Sequence, residues 1–152
     1  MNNTFYLLSN NDILMFNKNT FTVEKFKEIL IDILNKKMYI KGYKADGVTS
    51  FDFHLLARIN SEYNIEKKVT LTVNQSIVNT VSEAIDCQLL KLGAASWKSG
   101  KLKFKAIANY NNLSEPQLTI EIELEFCPDE PELSETSDSA LDELRQQLQI
   151  YK

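Results

Sequence analysis

An α+β fold, an antiparallel sheet packed against helices, is predicted by three features of this chain. Two segments alternate in polarity, Lys101-Leu-Lys-Phe-Lys-Ala-Ile107 and Leu118-Thr-Ile-Glu-Ile-Glu-Leu-Glu-Phe126, as half-buried strands do. A third segment, Val23 to about Lys36, repeats its apolar residues at helical spacing. After Phe126 the composition turns abruptly acidic before an amphipathic stretch closes the chain. These features divide the chain into a core domain over residues 1–127, an acidic linker over 128–138 and a C-terminal helix over 139–152.

The two alternating segments predict a β-hairpin down to its register. Directly opposed residues of an antiparallel pair share a face. Complementary charge therefore places Lys101 opposite Glu125, Lys103 opposite Glu123 and Lys105 opposite Glu121, with Leu102, Phe104, Ile122 and Leu124 on the buried side. A slip by one residue would expose that apolar row. The reversal then falls near Asn111, Asn112, Leu113 and Ser114, where Asn and Ser suit a turn. Each exposed ion pair contributes only about 0.2–1 kcal/mol. The charges thus set register, and burial of the other face supplies the stability.

The first helix has its own signals. Thr22 is a candidate N-cap, Glu24 lies in the first turn where the helix dipole favours it, and Lys36 and Lys37 suit the last turn. Val23, Phe26, Leu30, Ile33 and Leu34 form its apolar face. Ahead of it, Asp12-Ile-Leu-Met-Phe16 reads as an edge strand or entry segment. Lys41 to Gly47 is a loop with two of the chain's four glycines. Phe51 to Ile59 fits either period in part and is read as helical. Val69 to Val73 alternates as a strand, while Asn74 to Ile85, with Ile77, Val78, Val81, Ala84 and Ile85 at helical spacing, is read as a helix. Cys87 to Leu90 is a strand, joined through Gly93-Ala-Ala-Ser96 to the hairpin.

Pro128, Pro131 and the acids and hydroxyls around them make a solvated linker that cannot bury enough surface to fold alone. Beyond it, Asp138 or Ser139 caps a helix on which Leu141, Leu144 and Leu148 form one stripe. Such a helix is marginal in isolation, so it has to pack on its own body, on a second copy or on another protein.

Charge bounds the function. Residues 129–152 carry seven acids and two bases, a net of −5, and the other residues carry a net of +1. A nearly neutral body with an acidic tail argues against a dedicated nucleic-acid binder and against attraction to an anionic membrane. No stretch approaches the roughly 20 apolar residues that span a bilayer, and a basic leader is lacking, so a cytoplasmic location is expected. Cys87 and Cys127 read as two reduced, buried thiols.

Catalytic constellations are thin. His54 is the single histidine, and on an apolar stretch it reads as a core residue rather than a base. Two cysteines and one histidine far apart lack zinc spacing. Gly93 and Gly100-Lys101 are separated by six residues rather than the four of a phosphate-binding loop, and Leu102 stands where Ser or Thr must reach magnesium. Asp129, Glu130 and Glu132 belong to a solvated linker rather than to a loop that gathers the six or more oxygens of a calcium site. No catalytic residue, metal or cofactor is therefore assigned.

Trp97-Lys-Ser-Gly-Lys101, the alternating strand, then Glu-Phe-Cys-Pro-Asp-Glu-Pro-Glu and the closing Ser139-Ala-Leu-Asp-Glu-Leu-Arg145 resemble the KGK-domain family of cyanobacterial proteins. The resemblance covers residues 87 to about 146. It departs from the name-giving motif by an inserted serine, Lys98-Ser-Gly-Lys101, and by a longer connection, Asn109 to Pro116, between the strands. The resemblance implies no catalytic residue. By analogy it implies an assembly factor that binds a partner protein, such as the flexible tail of a carboxysome shell protein or a Rubisco-associated component.

The function expected is thus a non-enzymatic adaptor. Its expected contact residues are Trp97, Lys98, Gly100 and Lys101 at the hairpin entrance, with Leu141, Leu144 and Leu148 on the C-terminal helix, which could also join two copies into a homodimer. The alternative is a nucleic-acid-binding regulator using Trp97, Lys98 and Lys101; lysines facing glutamates across one hairpin release few counterions, which disfavours it. A third reading, an enzyme with a site assembled from scattered residues, requires a deep pocket with strongly perturbed titratable groups.

Overall fold

The alternating residues around Phe104 build the longest strand of the molecule, and the other strands of the main sheet assemble around it. The computed structural model describes residues 4–130. Strand β1 is Tyr6–Leu7, β2 Ile13–Phe16 and β3 Asn19–Thr22, followed by helix α1, Val23–Lys37. Then come β4 (Tyr39–Tyr43), β5 (Ser50–His54), the short helix α2 (Leu55–Ile59), β6 (Glu62–Ile65) and β7 (Val69–Thr72). The remaining strands are β8 (Gln75–Val81), β9 (Ile85–Leu90), β10 (Lys98–Asn111) and β11 (Leu118–Pro128).

The main sheet runs β1-β11-β10-β9-β2-β3, with β8 also paired to β10, and every pairing is antiparallel. β4–β5 and β6–β7 are separate two-stranded hairpins. Of the described residues 52% are strand and 16% helix. The chain is therefore mostly antiparallel β, which corrects the expected α+β class with helices packed on a sheet. The linker beyond Glu130 and the C-terminal helix, with Leu141, Leu144 and Leu148, lie outside the described residues.

The correction has local causes. Residues 74–85, read as a helix, form β8 and the start of β9. Ile77, Val78, Thr80 and Val81 are β-branched and favour an extended backbone, and the same residues satisfy both periods. Residues 51–59 divide into the end of β5 and one turn and a half of helix. β8 and β9 lie successively along one edge of β10. Val81 faces Lys105 and Ile85 faces Leu102, so three residues, Ser82 to Ala84, oppose two. This is a β-bulge. Ser82 closes it: its backbone N–H donates to Phe104 O and its Oγ accepts from Phe104 N, both at 2.9 Å.

The hairpin forms with the expected faces but a register two residues from the one expected. Lys101 faces Cys127, Lys103 faces Glu125 and Lys105 faces Glu123. A shift by two leaves every side chain on its face, so the hydrophobic pattern cannot distinguish the two registers. Packing does. Leu102 now meets Phe126, whose ring is fully buried and lies over Gly100. A Cβ on Gly100 would sit under 3.0 Å from both the Phe126 ring and the Cys127 carbonyl oxygen. The glycine thus leaves the space into which an aromatic side chain folds.

Beneath this pair lies the core. Leu14, Val23, Leu89, Leu102, Ala106, Leu124 and Phe126 are essentially inaccessible. Helix α1 closes it with Phe26, Leu30, Ile31 and Leu34. Thr22 caps the helix as expected, its side chain accepting from Lys25 N at 3.1 Å. Ile33, expected on the buried face, is 43% exposed, and Ile31, on the opposite flank of the apolar stripe, packs against the core instead. Asp12 locks the entry: its carboxylate accepts from Ser9 N and Leu92 N, and its carbonyl from Val23 N. Cys87 and Cys127 are both buried and unpaired. They occupy β9 and β11, with β10 between them, a separation no disulfide spans.

Gly100→Ala is expected to lower stability by about 1–3 kcal/mol through overpacking against the Cys127 carbonyl, read as a shift of the denaturation midpoint at unchanged m. A shift below half a kcal/mol (about the size of an ordinary surface substitution) would show that the ring does not occupy this space.

Candidate protein-binding surface

Most of the apolar surface that the sheet leaves uncovered lies in the middle of the chain. Of the 21 large apolar residues exposed among those described, 15 fall between Tyr39 and Ile85. The β6–β7 hairpin is the extreme case, since every residue from 61 to 72 is exposed. Its pairing places Tyr63 opposite Leu71 and Ile65 opposite Val69, so these four share one face. Glu62, Asn64, Thr70 and Thr72 take the other, where Thr70 Oγ1 donates to Asn64 Oδ1 at 2.7 Å. The turn is Glu66-Lys67, both at positive φ, with Lys68 N donating to Ile65 O at 3.0 Å. Two consecutive left-handed residues match the right-handed twist of a tight hairpin. The result is an amphipathic arm whose apolar face has no cover among the described residues.

The arm is bolted to the sheet at its base. Asn60 is buried, and its amide N–H groups donate to Asn74 O at 2.8 Å and Tyr110 O at 3.0 Å. Its Oδ1 accepts from Ser76 Oγ. One side chain therefore ties the end of α2 to β10 and to the start of β8. The β4–β5 hairpin shows a second exposed set, Tyr39, Ile40, Tyr43 and Phe51. Its connecting loop is held by Asp46, which accepts from Val48 N and from Thr49 N and Oγ1; these bonds, the Thr49 hydroxyl first, lower its pKa.

The hairpin-entrance residues divide. Trp97 is 38% exposed at the start of β10 and Lys98 is half-buried, which leaves the indole available to a partner. Gly100 is buried under Phe126, so it shapes the core and is not a contact surface. Lys101 donates to Asp86 Oδ1 of β9 at 2.7 Å, a partner the sequence reading did not name. The shifted register frees Lys101 for this bond. Glu125 accepts from Lys105 at 2.7 Å and lies 3.3 Å from Lys103. The Lys105 hydrogen bond is the main cause of its lowered pKa. Lys101, Lys103 and Lys105 are thus engaged by carboxylates, a poor arrangement for tracking a phosphate backbone.

A polar cleft of about 340 Å³ lies at this end of the sheet, lined by Met15, Asn17, Asp86, Gln88, Ser99 and Asp129 among others. Its thiol, Cys87, is pushed up to about 12 by burial and then by Asp86 and Asp129, far from the range of a nucleophilic cysteine. Among the described residues no group of three or more His, Cys, Asp or Glu is placed to hold a metal ion. No described helix is long and apolar enough to cross a membrane.

His54 belongs to the packing. It caps α2, its Nδ1 accepting from Leu56 N at 3.2 Å. Its ring stacks on Tyr110 and meets Tyr39 edge-on, and Nε2 is buried with no hydrogen-bond partner. Burial lowers its pKa from the usual 6.5. The folded chain keeps this imidazole neutral, so the unfolded chain binds the proton first, and stability is lost as pH falls below about 6.5. His54→Asn retains a capping acceptor without the titration. Its denaturation midpoint is expected to vary less than that of the wild type between pH 7 and pH 5; equal slopes would place the titration elsewhere.

The chain matches the KGK domain over residues 3–148. The match reaches far beyond residues 87–146, where the resemblance was first legible, and takes in α1 and both small hairpins. No curated protein and no solved structure matches the chain. With nearly its whole length under one family model, the chain belongs to the KGK domain family.

Proposed function

We propose that this protein is a non-enzymatic adaptor that binds a partner protein through the apolar face of the β6–β7 arm, with Trp97 as a second anchor. The observation that carries the reading is the arm itself: twelve consecutive exposed residues with Tyr63, Ile65, Val69 and Leu71 on one side. Exposed apolar rows of this kind are costly in water unless a partner covers them, and aromatic anchors such as Tyr63 and Trp97 are the residues on which binding energy concentrates. The finer reading places the protein in the cytoplasm of a cyanobacterium, with a carboxysome shell-protein tail or a Rubisco-associated component as the partner. It rests on analogy with assembly factors. The C-terminal stripe Leu141, Leu144 and Leu148 enters this proposal as a further contact.

The test is affinity purification of the full chain from a cyanobacterial lysate, with quantitative mass spectrometry. The same is done for a double variant, Tyr63→Ser with Leu71→Ser, and for Trp97→Ala. A stoichiometric protein partner is expected with the wild type, at least tenfold depleted with the arm variant and less depleted with Trp97→Ala. Equal recovery with the folded arm variant would place the binding surface elsewhere, and the absence of any stoichiometric partner would remove the adaptor reading.

A further inference from the structure

The strand β8 is a seven-residue strand of the main sheet with one side open along its whole length. Among the described residues it pairs with β10 alone, and five of its seven residues, Gln75, Ile77, Val78, Asn79 and Val81, are exposed. An unpaired edge of this length presents a row of backbone donors and acceptors to any strand that arrives, and edges are ordinarily protected by charge, proline or shortness. The other open edges carry such protection, including the first half of β11, Leu118 to Glu123, which β1 does not reach and which carries Glu121 and Glu123. β1 has two residues and β3 four, β4 carries Lys41, β5 Asp52 and β6 Glu62, and β7 has four residues directly after Lys67 and Lys68. β8 reads Gln-Ser-Ile-Val-Asn-Thr-Val, with no charge, no proline and four β-branched side chains among Ile77, Val78, Thr80 and Val81.

We propose that β8 is the interface of a homodimer, in which two copies pair β8 to β8 antiparallel across a twofold axis and join the two main sheets. Charge decides the occupant. A twofold interface sets a patch against itself, so any charge near its centre meets a like charge, which destabilises directly opposed strands. β8 is neutral along its whole length and meets this condition. The axis through Val78 sets Val78 against its copy, Ile77 against Asn79 of the second copy, Ser76 against Thr80 and Gln75 against Val81. On the outer face Ile77 then lies diagonally beside both Ile77 and Val81 of the second copy, within reach across an antiparallel pair. These are among the most exposed apolar side chains of the sheet, at 56% and 64%. Ile107, 42% exposed, extends the cluster from β10, where it faces Asn79. An open cavity of about 210 Å³ bounded by Val81, Ile107, Lys105, Glu121 and Glu123 adjoins it. On the other face the pair of hydroxyl residues, Ser76 and Thr80, is a favourable cross-strand match. The inference is independent of the adaptor reading, since it uses neither the β6–β7 arm nor Trp97.

The experiment is sedimentation velocity of the full chain from about 1 to about 100 µM, the range over which a small interface assembles. The wild type is expected to pass from monomer to dimer in this range. Val78→Lys and Val78→Glu, each set against its own like charge, are expected to stay monomeric. An equimolar mixture of the two is expected to recover the dimer. Val78→Cys, which adds no charge, is expected to give a disulfide-linked dimer under mild oxidation, because Cys87 and Cys127 are buried. The Tyr63→Ser/Leu71→Ser arm variant is expected to dimerise as the wild type does, which separates this interface from the partner surface. A wild type that remains monomeric throughout, a Val78→Lys that dimerises unchanged, or a Val78→Cys that does not cross-link would each overturn the proposal.

Discussion

The structure depends on one strand having two chemically different faces. β10 is bordered by β11 on one side and by β8 and β9 in succession on the other. Its inward residues Leu102, Ala106 and Ala108 are buried, while Lys101, Lys103 and Lys105 face outward. Burial of that inward row with Ile122, Leu124 and Phe126 of β11 supplies the main apolar contact of the sheet. Small residues matter as much as large ones here. Ala106 and Ala108 let neighbouring layers approach, and Gly100 admits the Phe126 ring. A strand of uniformly large residues would alternate equally well and pack badly.

The charge ladder above this core is a consequence of the packing. Once Phe126 takes its place beside Leu102, the glutamates are displaced by two residues from their simplest partners, and the lysines find new ones. Lys101 reaches across to Asp86, and Lys103 and Lys105 converge on Glu125. Surface ion pairs worth a fraction of a kcal/mol adapt to a register chosen by burying an aromatic ring worth several times more. The same neutralisation lowers the appeal of this face to nucleic acid and leaves the apolar regions as the more informative surface.

The middle of the chain obeys a different economy. From Tyr39 to Val81 the polypeptide makes two hairpins and an edge strand that contribute little to the core, yet display Tyr63, Ile65, Val69, Leu71 and Ile77. Asn60 and His54 hold the segment to the sheet through directional bonds and ring packing. A region tied at its base and apolar at its tip is suited to contact, and its stability is expected to sit at the low end of the molecule because few buried groups support it.

Local signals determined much of this protein from the sequence alone. Thr22, Glu24 and the last-turn lysines placed α1, because capping and dipole effects act within one turn. Alternation placed β10 and β11 and assigned their faces, because side chains on a strand repeat every two residues. Tertiary structure decided what periodicity leaves degenerate. A shift by two in the hairpin preserves its pattern, and the fit of Phe126 over Gly100 selected between the registers. Ile77, Val78 and Val81 satisfy both helical and extended spacing, and pairing with β10 made them a strand. The candidate surface was legible only in part. Trp97 was visible as a lone large aromatic, and Val69 to Leu71 as an alternating run. That the run's apolar face would remain uncovered depends on where the rest of the chain goes, a non-local outcome that no local pattern encodes.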